Sequence, residues 1–236
     1  MSVLVTTLQV AAAASLVMAA APAQTEAPPA DDVTPAEVVV TGVRNPYYLS
    51  TKQLAGAVGA YNKWRPALAP QARLLFRVGT LKGTKHEGLE LTLRSGDERI
   101  SLSMDEQHRF ELPALTGRWT LVANRPRDSL VILPVVLSPG TSDRERLLGD
   151  LRLQCQVDWA FARSETSIFA RGIYSSAGGC TSKKFAYYVL ANRPLAAASL
   201  RFGASAKPLQ IFRAASYRAP ITDPLPNDAR VVLTYR

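Results

Sequence analysis

Residues that could carry out catalysis are few in this chain. Its two histidines, His86 and His108, lie in predicted turns among charged residues. The sequence after His86 departs from H-E-x-x-H, so this metalloprotease signature is absent. Ser175-Ser176 lies in a glycine-rich stretch that could expose a nucleophile, but there is no G-x-S-x-G sequence and no histidine nearby. We therefore expect no catalytic residues, no cofactor site and no metal site.

The first 23 residues have the pattern of a secretory signal peptide. They contain no charged side chain and end in Ala21-Pro22-Ala23, a small-x-small cleavage pattern. A membrane anchor is the alternative, but the run is alanine-rich and contains Thr, Gln and Ser, whereas a span needs about 20 strongly apolar residues. We expect a periplasmic or secreted protein with no transmembrane span after signal removal.

The predicted export bears on the state of the two cysteines, Cys155 and Cys180. An even pair in an oxidising compartment predicts a disulfide bond. The spacing is not C-x-x-C, so a redox-active pair is the less favoured alternative.

Residues 24–45 are predicted to form a flexible linker that contains one β-prone stretch. The stretch reads Glu37-Val38-Val39-Val40-Thr41-Gly42, then one residue and Arg44. It resembles the TonB box of TonB-dependent outer-membrane receptors, in which this segment adds as a strand to the periplasmic TonB protein. The resemblance covers eight residues and implies a partner-binding strand. The alternative is a first strand that pairs with the protein's own sheet.

Regular alternation dominates residues 151–161. Every odd position is apolar, and the even positions from Arg152 to Asp158 are polar or charged. This period of two predicts a central β-strand with one buried face. Residues 163–184, which are polar and rich in Gly and Ser, are predicted to form a long hairpin arm that the disulfide holds.

The rest of the pattern predicts an antiparallel β-sandwich with one short N-terminal helix. The helix is expected at 49–68, with Ser50 or Thr51 as its cap and Pro66 ending it before Leu68. A hairpin with its turn at 95–98 has a register that keeps Arg94 and Arg99 out of the core. Further strands are predicted at 74–78, 110–112, 119–123, 130–137, 185–190, 199–202, 209–212 and 231–235.

Residues 89–161 resemble a carboxypeptidase-regulatory-like or transthyretin-like module. The matching segment runs from Ile100 to Pro113 and ends in Arg-Phe-Glu-Leu-Pro, with His108 where the family usually has glycine. The resemblance implies a small antiparallel sandwich without catalytic residues, in a structural, adhesive or accessory role. We expect one sandwich domain over 46–236, with a separate C-terminal lobe from about residue 162 as the alternative.

Positive charge is the remaining indication of function. The chain has 28 Lys and Arg against 19 Asp and Glu, a net charge of +9. A solvated basic surface is the simplest interpretation, and attraction to an anionic envelope polymer or lipid surface is the functional one. Export and the lack of a nucleic-acid-binding motif argue against a nucleic-acid partner. We expect a non-enzymatic envelope protein that binds another envelope component, with a periplasmic hydrolase whose site is assembled from distant residues as the alternative. The basic pairs are spread along the sequence: Arg73/Arg77, Lys82/Lys85, Arg125/Arg127, Arg144/Arg146, Lys183/Lys184 and Arg213/Arg218.

Overall fold

The computed structural model describes residues 42–176 and 178–236, and this part of the chain is mainly β. The helices are α1 (Thr51–Leu68), α2 (Leu148–Ala162) and α3 (Ile168–Ser176). The strands are β1 (Pro46–Leu49), β2 (Arg73–Thr80), β3 (Leu91–Ser95), β4 (Glu98–Leu102), β5 (Arg109–Phe110), β6 (Thr120–Pro126), β7 (Leu130–Leu137), β8 (Glu145–Leu147), β9 (Tyr188–Leu190), β10 (Leu195–Phe202), β11 (Ser205–Pro208), β12 (Ile211–Phe212), β13 (Ser216–Arg218) and β14 (Arg230–Tyr235).

These strands form four antiparallel sheets. Two use the first half of the chain, in the orders β1-β6-β3-β4 and β5-β2-β7. The other two use the second half, in the orders β11-β10-β14-β8 and β12-β13-β9. The predicted hairpin is confirmed as β3–β4, with Arg94 opposite Arg99. Every other predicted strand in 74–137 and 185–235 overlaps an observed one, whereas β1, β8, β11 and β13 were not predicted.

Helix α1 is confirmed, and its start follows from local chemistry. Ser50 is the N-cap: its hydroxyl accepts a hydrogen bond from the Gln53 N–H, and the Gln53 side chain accepts one from the Ser50 N–H. The expected stop before Leu68 is wrong, because the helix continues through Pro66 to Leu68. Pro66 removes one backbone donor in the last turn, but the Ala69 N–H still binds the Arg65 carbonyl at 2.9 Å and closes that turn.

The central strand predicted at 151–161 is wrong, because these residues form most of α2. The helix is buried on two sides. Leu148, Leu151 and Cys155 pack into one hydrophobic cluster, while Leu153, Val157 and Phe161 pack into another. Each set has helical spacing of three or four residues. Within residues 151–161 the members of both sets fall at odd positions, so a doubly buried helix imitates the alternation of a strand.

The two clusters organise the described residues around α2. The first cluster contains buried side chains from β2 and β7 together with others from β3 and β6, so two sheets contribute to one core. The second cluster lies between the other face of α2 and β10, β13 and β14. Close packing of α1 on α2 covers the first cluster, with buried Leu54 and Ala57 on the inner face of α1.

The hairpin arm predicted at 163–184 is also wrong. Short 3₁₀ turns at Arg163–Glu165 and Gly179–Thr181 flank α3 in this part of the chain. The glycine- and serine-rich composition suggested an extended arm. It instead supplies the tight turn between α3 and Cys180, where Gly178 and Gly179 both have positive φ.

Candidate functional site

The predicted disulfide is present and buried. Cys155 of α2 is bonded to Cys180 in the 3₁₀ turn after α3, with 5.9 Å between the two Cα atoms. The Tyr174 hydroxyl lies 2.8 Å from Cys180 Sγ. The Tyr174 ring stacks on the Trp159 ring with 3.6 Å between their centroids. The bond therefore fixes the α3 region to α2 and belongs to the structural framework.

The two histidines lie together, which the sequence did not indicate. Their imidazole rings stack with centroids 3.6 Å apart and 6° between the ring planes. His86 Nε2 lies 3.1 Å from the Val78 carbonyl oxygen, and both side chains are half-buried. Within the described residues, neither ring forms a hydrogen bond with a serine or a carboxylate, so the geometry of a Ser-His-Asp triad is absent there.

An open groove of about 560 Å³ lies between α1 and the segment 111–119. Its walls are mostly apolar, and no serine, histidine or aspartate lines it. The polar lining residues are Thr51, Tyr61, Asn62 and Glu111. The groove therefore does not place a serine nucleophile beside a histidine base.

A partly buried chain of polar side chains runs from α2 to the segment before β9. Gln154 donates to Asp158 at 2.7 Å, and the Tyr187 hydroxyl donates to the other Asp158 oxygen. Burial raises the pKa of Asp158 to about 6, although the bonds from Tyr187 and Gln154 and the charge of Arg146 act in the opposite direction. Burial also raises the pKa of Tyr187 well above its ordinary value, and the neighbouring Asp158 adds to this. Gln154, Asp158 and Tyr187 satisfy one another's hydrogen bonds, which fits a structural role.

Residues 159–222, here called the basic segment, carry most of the net charge. The segment holds nine Lys and Arg but a single acidic residue, Glu165, giving +8 of the chain's +9. Eight of the nine cations are exposed, Arg171 being half-buried. Among the described residues, only Lys207 of the nine forms an ion pair, with Asp223 at 3.1 Å. The sequence interpretation missed this segment because it followed the basic residues and not the scarcity of acidic ones.

The basic segment also exposes large apolar side chains. Six of the nine exposed large hydrophobic residues found in the described part of the chain belong to it. They are Ile168, Phe169, Tyr188, Leu190, Phe202 and Phe212. The segment therefore combines exposed apolar side chains with eight cations that form no ion pair within the described residues.

Most of the TonB-box-like stretch, Glu37 to Thr41, lies outside the described residues. Gly42, its last member, has a φ of +98° and is exposed, and residues 42–44 belong to no strand. The first described strand is β1, which begins at Pro46.

Neither a cluster of metal-ligating side chains nor a membrane-spanning helix is found in residues 42–176 and 178–236. No group of three or more His, Cys, Asp or Glu side chains there could hold a metal ion. No helix in the same residues has the length and apolar character to cross a membrane. Comparisons with protein-family models, curated proteins and solved structures found no match.

Proposed function

We propose that this protein is an exported, non-enzymatic binding protein of the bacterial envelope, which recognises anionic partners through its basic segment. The main supporting observation is that +8 of the net charge falls in one stretch, whose cations are mostly exposed and, apart from Lys207, form no ion pair with a described residue. Such a surface attracts anions over roughly one Debye length, about 8 Å at physiological ionic strength.

Binding is favoured over hydrolysis by the surroundings of the candidate catalytic groups. Each imidazole stacks on the other, and the groove beside α1 offers a mostly apolar lining. A hydrolase of the serine or cysteine type would need a nucleophile and a base within hydrogen-bond reach of each other.

An exported β-sandwich of the carboxypeptidase-regulatory-like type is part of this proposal for the first half of the chain. Two antiparallel sheets with a common core support it. The left-handed backbone at His108, φ +55°, also supports it, because the family usually has glycine there. The predicted signal peptide, together with the disulfide, supports an oxidising compartment.

The test measures binding of the full chain to immobilised dextran sulfate, a polyanion without apolar groups. The variant K183E/K184E reverses two positive charges in the basic segment. The control K52E/K85E makes the same change in net charge at exposed lysines outside it.

We expect wild-type protein to bind at low salt, K183E/K184E to bind several-fold more weakly, and K52E/K85E to bind almost as well as wild type. Equal weakening by both variants would mean that only total charge matters, and absence of wild-type binding would refute the proposal outright.

A further inference from the structure

The three-stranded sheet β12-β13-β9 presents an exposed patch of apolar and cationic side chains. Tyr188 and Leu190 are two residues apart on β9, so they lie on the same face of the sheet. They are 43% and 70% exposed. Arg218 lies directly opposite Tyr188, and the Phe212 ring lies 6.2 Å from the Tyr188 ring. We call Tyr188, Leu190, Phe212, Arg213 and Arg218 the β9 patch.

The turn between β12 and β13 holds one aromatic ring beside one cation. The Arg213 guanidinium lies 5.0 Å from the centroid of the Phe212 ring. Arg213 and Ala214 have φ values of +50° and +54°, a left-handed conformation that costs roughly 1–2 kcal/mol per non-glycine residue. Neither is a glycine, so the turn is maintained against a backbone cost while Phe212 remains 49% exposed.

The charges of the patch are available to a ligand. Arg213 and Arg218 are exposed, and no carboxylate among the described residues lies within ion-pair distance of either. A polyanion without apolar groups would contact only these cations. Such a ligand would leave Leu190, Phe212 and Tyr188 exposed to water, whereas a lipid surface accommodates both kinds of group.

We propose that the β9 patch docks on the surface of an anionic lipid bilayer. This inference rests on the proposed function and names the anionic partner of the basic segment. Aromatic rings favour the interface between headgroups and acyl chains, and arginines beside them reach the lipid phosphates. The remaining cations of the basic segment strengthen the attraction without entering the membrane.

Co-sedimentation with lipid vesicles tests the proposal. The full chain is mixed with vesicles of phosphatidylcholine containing phosphatidylglycerol, and separately with phosphatidylcholine alone. The variant L190S/F212S removes apolar groups from the patch without changing the charge. The control L81S removes an exposed leucine, 44% accessible, outside the basic segment. Residues 1–41 are the same in every variant, so differences in binding report the patch. Thermal unfolding confirms that each variant is folded.

We expect the wild type to sediment with the anionic vesicles only, with affinity reduced about tenfold in L190S/F212S and unchanged in L81S. Equal binding by wild type and L190S/F212S would overturn the patch and leave the proposed function standing. Binding to dextran sulfate without binding to vesicles would also overturn it, in favour of a polyanionic partner. Failure to bind either probe would refute both proposals.

Discussion

Gln154 of α2 binds the backbone of Pro134 and Val136 on the open edge of β7. Its side-chain oxygen accepts from the Val136 N–H at 2.7 Å, and its nitrogen donates to the Pro134 carbonyl at 2.8 Å. On the same edge, Arg146 donates to the Val136 carbonyl at 2.7 Å and Asp150 accepts from the Ser138 N–H at 2.9 Å. Side chains of α2 and β8 therefore replace a neighbouring strand at an edge that would otherwise carry buried, unpaired backbone groups.

Replacing Gln154 by leucine should lower the free energy of unfolding by about 3 kcal/mol, because two buried backbone groups lose their partners. Gln156 lies two residues along the same helix and has no hydrogen-bond partner through its side chain in the described residues, so Q156L is the control. It should change stability by less than about 0.5 kcal/mol. Urea denaturation of both variants measures the difference. Equal effects would mean that Gln154 does not support the β7 edge.

Two glycines of α1 should respond oppositely to alanine. A Cβ at Gly56 would lie 2.5 Å from the Ala160 carbonyl oxygen of α2, whereas a Cβ at Gly59 would meet nothing within 4 Å. G56A should therefore push α1 away from α2 and destabilise the protein by about 1–3 kcal/mol. G59A should stabilise it by about 0.5–1 kcal/mol through helix propensity. Thermal unfolding of the two variants measures both changes in stability. A stabilising effect of G56A would contradict the close packing of α1 on α2.

Local signals in the sequence predicted α1, the β3–β4 hairpin and β7. Each depends on a few neighbouring residues: a capping serine for α1, a turn with a fixed register for the hairpin, and a short apolar run for β7. Helix α2 could not be predicted this way because its two buried stripes come from contacts with opposite cores. The composition of α2 was the one signal against a strand. Val157 is its only β-branched residue, and it contains several Leu, Gln and Ala, which favour a helix.

The candidate site was only partly visible in the sequence. Cys155 and Cys180 were paired correctly, because two cysteines allow only one intrachain bond. Phe212 and Arg213 are brought to Tyr188 by the pairing of β12, β13 and β9, which links residues more than 20 positions apart. No local pattern encodes that pairing, since Arg213 and Ala214 form a left-handed turn without the glycine that usually marks one.

Asp158 should make stability depend on pH. Its pKa is about 6 in the folded protein and near 3.8 when exposed, so the folded state retains a proton longer as the pH rises. The contribution of Asp158 therefore falls between about pH 4 and pH 6, by on the order of 2 kcal/mol, and is constant above that. The stability difference between D158N and wild type should change across this window in favour of D158N. Urea titrations of both proteins from pH 4 to pH 7 measure it, and a difference independent of pH would contradict the raised pKa.

Without the disulfide, the α3 region should open locally before the two hydrophobic clusters unfold. The double variant C155A/C180A loses a link that spans 25 residues, at a cost of about 3 kcal/mol in the chain-entropy model. Arg171, Lys183 and Lys184 are trypsin sites in or beside the tied segment. Limited proteolysis should cut there first and faster than in wild type, as mapped by mass spectrometry. Unchanged cleavage sites and rates would show that other contacts hold this region.

The most direct test of the central claim is the salt dependence of binding to an anionic surface. Affinity of the full chain for phosphatidylglycerol-containing vesicles, or for dextran sulfate, is measured from about 0.05 M to about 0.5 M NaCl. An interaction through the unpaired cations of residues 159–222 predicts a steep fall in affinity as salt increases, with a shallower fall in K183E/K184E than in K52E/K85E. Affinity that does not change with salt, or a slope equally reduced in both variants, would contradict recognition by the basic segment.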